Sequence, residues 1–401
     1  MATIALIWEL GSDYGHIGRF LPIALELKAR GHRPVMILRD ISRADEMLGR
    51  HGIEYLQAPL WLPPVQGLPP PINFTESLFL FGFLQPGGLL SVLRAWRALL
   101  ALLKPDLLIF DHAPTALLAS RGLGLPRLVT GNSFAVPPRR TPLPLYEWWN
   151  PKAGAPQREL DCEERLLRNA NHALSALGAP PMTCVADLYD VEVTHITGAP
   201  ELDVYGPRDA ACYVGAINAL DQGVEPRWPA GPARRVFAYL KPRYMHFDAV
   251  VTALARLDAS VLVFAPGLAR QNMLRLQAAN LAFSTEPLRM RSVREQVEMA
   301  VCHAGGMVDV MLQAGRPVFL LPMQMEQTMT SRRVEEVGCG LFHIAQQGPK
   351  ELEKGLKRVF GTPAYAERAL AYQQRNANFT QAFAMERMIG SCEALLANAA
   401  R

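Results

Sequence analysis

The sequence predicts an α/β protein made of two parallel-sheet units, and three observations carry that expectation. At 401 residues the chain exceeds what one comfortable core holds and suits two domains of ordinary size. Short apolar runs alternate with stretches of helical periodicity, the pattern of parallel strands joined by crossover helices. The same turn also occurs once in each half, as Gly124-Leu125-Pro126 and as Gly315-Arg316-Pro317, where glycine ends a helix and proline opens a buried strand.

The elements follow in order. Thr3 to Trp8 is a compact apolar strand. Ile17, Leu21, Ala24 and Leu27 then recur at helical spacing, with Gly31 where a helix C-cap belongs. Residues 34–38, 107–110 and 127–130 are further strands of the first half, and Asp111 ends the second of these. Residues 236–240, 261–265, 300–302 and 318–321 are the strands of the second half. Gly, Pro and Asp accumulate and periodicity is lost over residues 205–231, which places the seam there.

Two segments depart from a plain strand–helix alternation. Residues 59–88 are rich in proline and glycine around the apolar run Leu78-Phe79-Leu80-Phe81-Gly82-Phe83-Leu84, and residues 132–158 carry prolines with Trp148-Trp149. Long irregular insertions on a rigid scaffold are usually functional loops.

Composition limits the function classes. Hydrophobic residues make up 50% of the chain and charged residues 19%, as in a globular protein. A net charge of +4 gives no electrostatic case for nucleic acid, though it does not oppose an anionic ligand. The six cysteines (Cys162, Cys184, Cys212, Cys302, Cys339, Cys392) form no CxxC pair, which suits reduced thiols and offers no zinc site. The first ten residues lack a basic stretch and a cleavage site, and no apolar run reaches the length needed to span a bilayer. A soluble cytoplasmic protein is the expectation.

Four places have residues suited to chemistry. In Gly11-Ser12-Asp13-Tyr14-Gly15-His16, between the first strand and the first helix, Gly15 allows close approach and His16 can take a proton near neutral pH. Asp111 ends a strand of the same sheet and can orient that histidine, although a strand-end aspartate is more often an ordinary turn or cap residue. The adjacent His112 competes for the base role but has no glycine-lined loop beside it. In Cys302-His303-Ala304-Gly305-Gly306-Met307 a strand end runs through glycines into a helix, where backbone N–H groups can approach a pyrophosphate and His303 can donate to it. In Pro322-Met323-Gln324-Met325-Glu326-Gln327 an adjacent acid and amide can bind neighbouring sugar hydroxyls, or simply cap a helix.

Taken together, these places resemble the family 1 glycosyltransferases of GT-B fold, the group of bacterial macrolide and plant UDP-glycosyltransferases. The N-terminal match is Gly15-His16-Ile17, Leu21, Leu27 and Arg30-Gly31-His32. The C-terminal match runs from His303-Ala304-Gly305 through Ala314-Gly315-Arg316-Pro317, Leu321-Pro322 and Glu326-Gln327 to Arg333-Val334 and Gly338-Cys339-Gly340. Tyr213-Val214-Gly215 resembles the family's entry to its linker.

The resemblance implies two Rossmann-like domains facing across a cleft. These are an acceptor domain at 1–212, a linker at 213–231, a nucleotide-sugar domain at 232–375 and a C-terminal helix at 376–401. It implies inverting transfer of a sugar from a nucleotide diphosphate donor, UDP or dTDP, to a hydroxyl of a small hydrophobic or lipid-like acceptor. His16 then matches the general base and Asp111 its acid partner. His303, Gly305, Gly306 and Met307 match the phosphate loop, and Glu326 with Gln327 the donor-sugar pair. No metal and no cofactor is implied beyond the donor co-substrate, since backbone amides stabilise the leaving diphosphate.

The chain also departs from the family pattern. The stretch from His303 to Gly315 is one residue short, Met307-Val308 stand where a phosphate-binding hydroxyl belongs, and no glutamate occupies the ribose-contacting place. Arg19 replaces a proline common after the histidine. These departures support an alternative, a catalytically impaired sugar-nucleotide-binding partner of another enzyme. A GT-B epimerase needs more acids near the anomeric carbon than this chain offers. The apolar run 78–84 falls where the family builds its acceptor pocket. It suits such a pocket, a peripheral contact with the inner face of the membrane, or core packing.

Overall fold

The computed structural model describes residues 1–11 and 14–399, the side chain of Ala211 excepted. The chain forms two compact units: one of residues 1–200, 205–219 and 381–401, the other of residues 201–204 and 220–380. The chain therefore crosses to the second unit near residue 220, inside the stretch expected as a linker. Its last helix, Gln381–Ala399, returns to the first unit.

Each unit is built on a six-stranded sheet, and every strand pairing is parallel. The first contains β1 (Thr3–Trp8), β2 (Arg33–Leu38), β3 (Glu54–Gln57), β4 (Leu107–Asp111), β5 (Arg127–Gly131) and β6 (Val193–Ile196), in the order β3-β2-β1-β4-β5-β6. The second contains β7 (Arg235–Tyr239), β8 (Ser260–Phe264), β9 (Leu281–Ser284), β10 (Met299–Cys302), β11 (Val318–Leu320) and β12 (Gly340–Phe342), in the order β12-β11-β10-β7-β8-β9. Both orders are that of a Rossmann sheet. In each unit the winding reverses beside the first strand, and ligands collect outside the carboxyl ends at that switch point. The switch lies between β1 and β4 in one unit and between β7 and β10 in the other.

The central strands are apolar throughout because both faces are covered. Residues 4–8 and 107–111 are all buried, and so are 299–302 and 318–320.

Two expectations change. The apolar run 78–84 is not an exposed patch: Leu78, Phe79 and Phe83 are buried, and Asn169 donates to the carbonyls of Phe83 and Leu84 at 2.9 Å each. Core packing, one of the three readings open for this run, accounts for these three side chains, while Leu80, Phe81 and Leu84 are half-buried. The helix Pro86–Leu103, by contrast, is long and apolar enough to cross a bilayer by length and composition, which corrects the expectation that no apolar run reaches that length. It packs instead on the helices Pro114–Ser120 and Pro156–Ala176, burying Leu89, Leu93 and Trp96. Arg97 from this helix donates to the carbonyls of Ala119, Leu177 and Arg121.

Candidate active site

In the first unit, the switch point brings together residues from β1, β4 and the helix Gly15–Ala29. His16 Nδ1 lies 2.8 Å from Asp111 Oδ2, joining two positions 95 apart in sequence. The imidazole stacks on Trp8, with ring centroids 5.0 Å apart and 15° between planes. Trp8 is itself fixed, its indole N–H donating to Leu10 O at 2.6 Å. The carboxylate faces Nδ1 and so orients the ring with Nε2 directed away from the pair.

Two glycines make the dyad fit. At Gly11 (φ +100°) a Cβ would stand 2.6 Å from His16 Nε2, and at Gly131 (φ +142°) one would stand 2.7 Å from Asp111 Oδ1. Any larger residue at Gly11 would occupy the space beside Nε2. Ser12 and Asp13, expected in the same loop, lie outside the described residues.

Burial by itself would raise the Asp111 carboxyl. The nearby charges of Arg19 and His16, with the hydrogen bond to His16, overcome that and hold it at about 2. Arg19 Nε is 3.7 Å from the same Oδ2. His112 follows on a left-handed backbone (φ +50°), its ring centroid 6.4 Å from that of His16. Burial, then the neighbouring His16 charge, press His112 down to about 3, so it is a neutral imidazole at any physiological pH.

Beneath the dyad, Glu9 is only 1% exposed and clamps the two loops together. Its carboxylate accepts from the Thr115 N–H (2.9 Å), the Thr115 hydroxyl (2.6 Å) and the Ala116 N–H (3.2 Å). Trp96 donates in turn to Thr115 Oγ1, and Leu10 N–H donates to His112 O. Burial raises Glu9 to about 7 despite these bonds and the nearby Arg39.

In the second unit, the corresponding switch point holds His303 and Lys241. His303 Nε2 accepts the Lys241 N–H at 2.9 Å, and Nδ1 lies 2.7 Å from Leu321 O, so it carries the proton. Both ring nitrogens are spent on backbone. The ring ties the ends of β7, β10 and β11 together and, in this arrangement, has no N–H to offer a phosphate. Gly305 and Gly306 follow, both exposed, and a Cβ at either would meet nothing within 4 Å. Met307 begins the short helix Met307–Leu312.

Gln327 is 7% exposed, and its Oε1 accepts the Met323 N–H at 2.8 Å, closing the turn between β11 and the helix Met325–Val337. Glu326 is half-buried in the first turn of that helix. A depression of about 440 Å³ beside Tyr244, His246 and Asp248 lies at the carboxyl end of β7. The other side of Tyr244 meets His303 edge-on at 5.3 Å.

No family model and no curated protein matches this sequence. Solved structures do match it in fold. That of CalG4, the calicheamicin glycosyltransferase, has a TM-score of 0.74 and 20% identity, over 100% of this chain and 99% of that one. The glycosyltransferase of kitacinnamycin has a TM-score of 0.66 and 19% identity over 96% and 98%, and VinC in complex with DTDP 0.64 and 15% over 99% and 100%. The fold is GT-B. The likeness runs through both Rossmann-like units and the returning helix, as whole-chain coverage requires.

The roles of Trp8, Glu9 and Gly131 were not drawn from the sequence. Trp8 reads only as the end of an apolar strand, and Glu9 and Gly131 follow strand ends with no motif to single them out. Arg19 gave a usable signal: three residues after His16 is one helical turn, which puts both on one face.

Proposed function

We propose that the chain is an inverting glycosyltransferase. In this reading it transfers a sugar from a nucleotide diphosphate donor, UDP- or dTDP-linked, to a hydroxyl of a small hydrophobic or lipid-like acceptor. The observation that carries the reading is the His16–Asp111 pair, 2.8 Å apart at the switch point of the first sheet. His16 acts as general base through Nε2, taking the acceptor hydroxyl's proton as its oxygen attacks the anomeric carbon. Asp111, ionised down to about pH 2, holds the tautomer and balances the imidazolium as it forms. His112, held at about 3, is too weak a base to compete.

Gly305 and Gly306 support the donor side of the reading. The fold does not need glycine at either position, since a side chain would meet open space. What glycine supplies there is bare backbone N–H that can face a diphosphate, with Glu326 in the first turn of the helix after the adjacent strand β11 for the sugar. The natural-product glycosyltransferases that share the fold, among them VinC with its bound DTDP, agree with this donor class.

One observation favours a second reading, a sugar-nucleotide-binding partner without activity: the ring of His303 is sealed by two backbone groups. A panel of nucleotide sugars screened by thermal shift, followed by mass spectrometry of nucleotide release with candidate acceptors, separates the two. Donor-dependent product that disappears in His16→Ala supports the transferase. Stabilisation by donors with neither product nor free nucleotide rejects it in favour of the binder.

A further inference from the structure

We infer that Arg19 is a positioning residue that shares Asp111 with His16 and so keeps the imidazole in its proton-accepting form. The inference rests on the reading of His16 as base.

The geometry is a three-way arrangement on one oxygen. Asp111 Oδ2 faces His16 Nδ1 at 2.8 Å and Arg19 Nε at 3.7 Å, so the two nitrogens are no more than about 6.5 Å apart. The Arg19 side chain, 15% exposed, is held from a second side, where its Nη1 donates to Thr197 Oγ1 at 3.3 Å. The Thr197 N–H donates to Gly131 O at 2.8 Å, and the bare Cα of Gly131 makes room for Asp111 Oδ1. Arg19, Thr197, Gly131 and Asp111 thus form a closed ring of contacts behind the imidazole.

The consequence is electrostatic. Arginine stays charged at every working pH, so Asp111 faces a permanent cation before His16 takes up any proton. An imidazolium on His16 must then share its counter-ion with that cation and is repelled by it. A buried carboxylate paired with histidine alone would stabilise the imidazolium in full, and the ring would be protonated, and useless as a base, at higher pH. Arg19 also keeps Asp111 ionised against its burial, which preserves the orienting contact. Among the described residues, the other charged or titratable groups around the pair are His112 from the loop after β4, Arg39 after β2 and Glu9 after β1. Of these, Arg39 donates to the backbone carbonyl of Glu9, and Glu9 accepts from Thr115 and Ala116.

The test is a histidine-selective ¹³C NMR titration of the full chain, with the His16 resonance assigned by its loss in His16→Gln. In Arg19→Met the His16 titration midpoint is expected to rise by about one pH unit, and in Arg19→Lys to stay within a few tenths. The acid limb of kcat/KM for product formation is expected to move the same way. Arg19→Gln carries the same test should the methionine variant fail to fold. A midpoint that is unchanged or lower without the arginine overturns the inference, whatever the activity. Turnover that survives His16→Ala overturns the base assignment instead, and a raised midpoint then still upholds the effect of Arg19 on the pair.

Discussion

The carboxylate of Asp111 meets His16 while fully buried, and a single one of its oxygens makes that contact. An amide in its place can present N–H to Nδ1 and select the wrong tautomer. Asp111→Asn is therefore expected to lower kcat by about a thousandfold or more with little change in donor affinity. Steady-state kinetics with circular dichroism as a fold control checks this, and a loss under tenfold contradicts the orienting role.

Gly11 and the pair Gly305–Gly306 should behave in opposite ways. Gly11→Ala puts a methyl 2.6 Å from His16 Nε2 on a left-handed backbone, so both activity and thermal stability should fall, activity by at least about tenfold. Gly305→Ala and Gly306→Ala meet nothing, so melting should be unchanged while donor affinity drops by about tenfold. Donor titration by calorimetry, beside melting curves, reads both. Unaltered donor affinity in both loop variants removes the backbone cradle from the proposal.

Glu9 should give the protein a pH signature. Its value rises from 4.5 to about 7 on burial, so the fold favours the protonated form. That stability is fully present below about pH 4.5 and is lost as pH rises through 7, in all about 3 kcal/mol. His112, lowered from 6.5 to about 3, works in the opposite sense, contributing above 6.5 and losing that contribution as pH falls toward 3. Relative to the parent, Glu9→Gln should therefore gain stability as pH goes from 5 to 8. Parallel melting profiles for the two proteins across that range would contradict the burial argument.

His303 should behave as a structural residue. Removing its ring unpairs the Lys241 N–H and Leu321 O, and His303→Ala is expected to cost about 2 kcal/mol of stability. Donor affinity measured well below the melting range should then fall less than it does in the glycine variants. A collapse of donor binding with melting unchanged would return His303 to the ligand.

The sequence made the sheet centres legible and missed their margins. All four strands absent from the expectation, β3, β6, β9 and β12, are edge strands. In β3 and β6 the apolar content is interrupted, as in Glu54-Tyr55-Leu56-Gln57 and Val193-Thr194-His195-Ile196, because one side of an edge strand is open and does not demand it, while β9 and β12 are apolar but only 4 and 3 residues long. Pattern reading finds burial on two faces and passes over burial on one. At the site, the positions of His16 at the start of the helix after β1 and of Asp111 at the end of β4 are legible, because strand and helix periodicity fix both. Whether a ring nitrogen is already occupied depends on carbonyls brought in by tertiary structure, and so the closure of His303 by Lys241 and Leu321 had no signal in sequence.

The helix Gln381–Ala399 belongs to the first unit, where it buries Met388, Ile389 and Cys392, and Ser391 lies 2.8 Å from His195 on β6. The residues completing that unit are thus synthesised after the whole of residues 220–380. On the ribosome, the half carrying His16 must wait, with one flank of its sheet uncovered, until the other half has been made. A fragment ending near residue 219 would leave that flank bare for good.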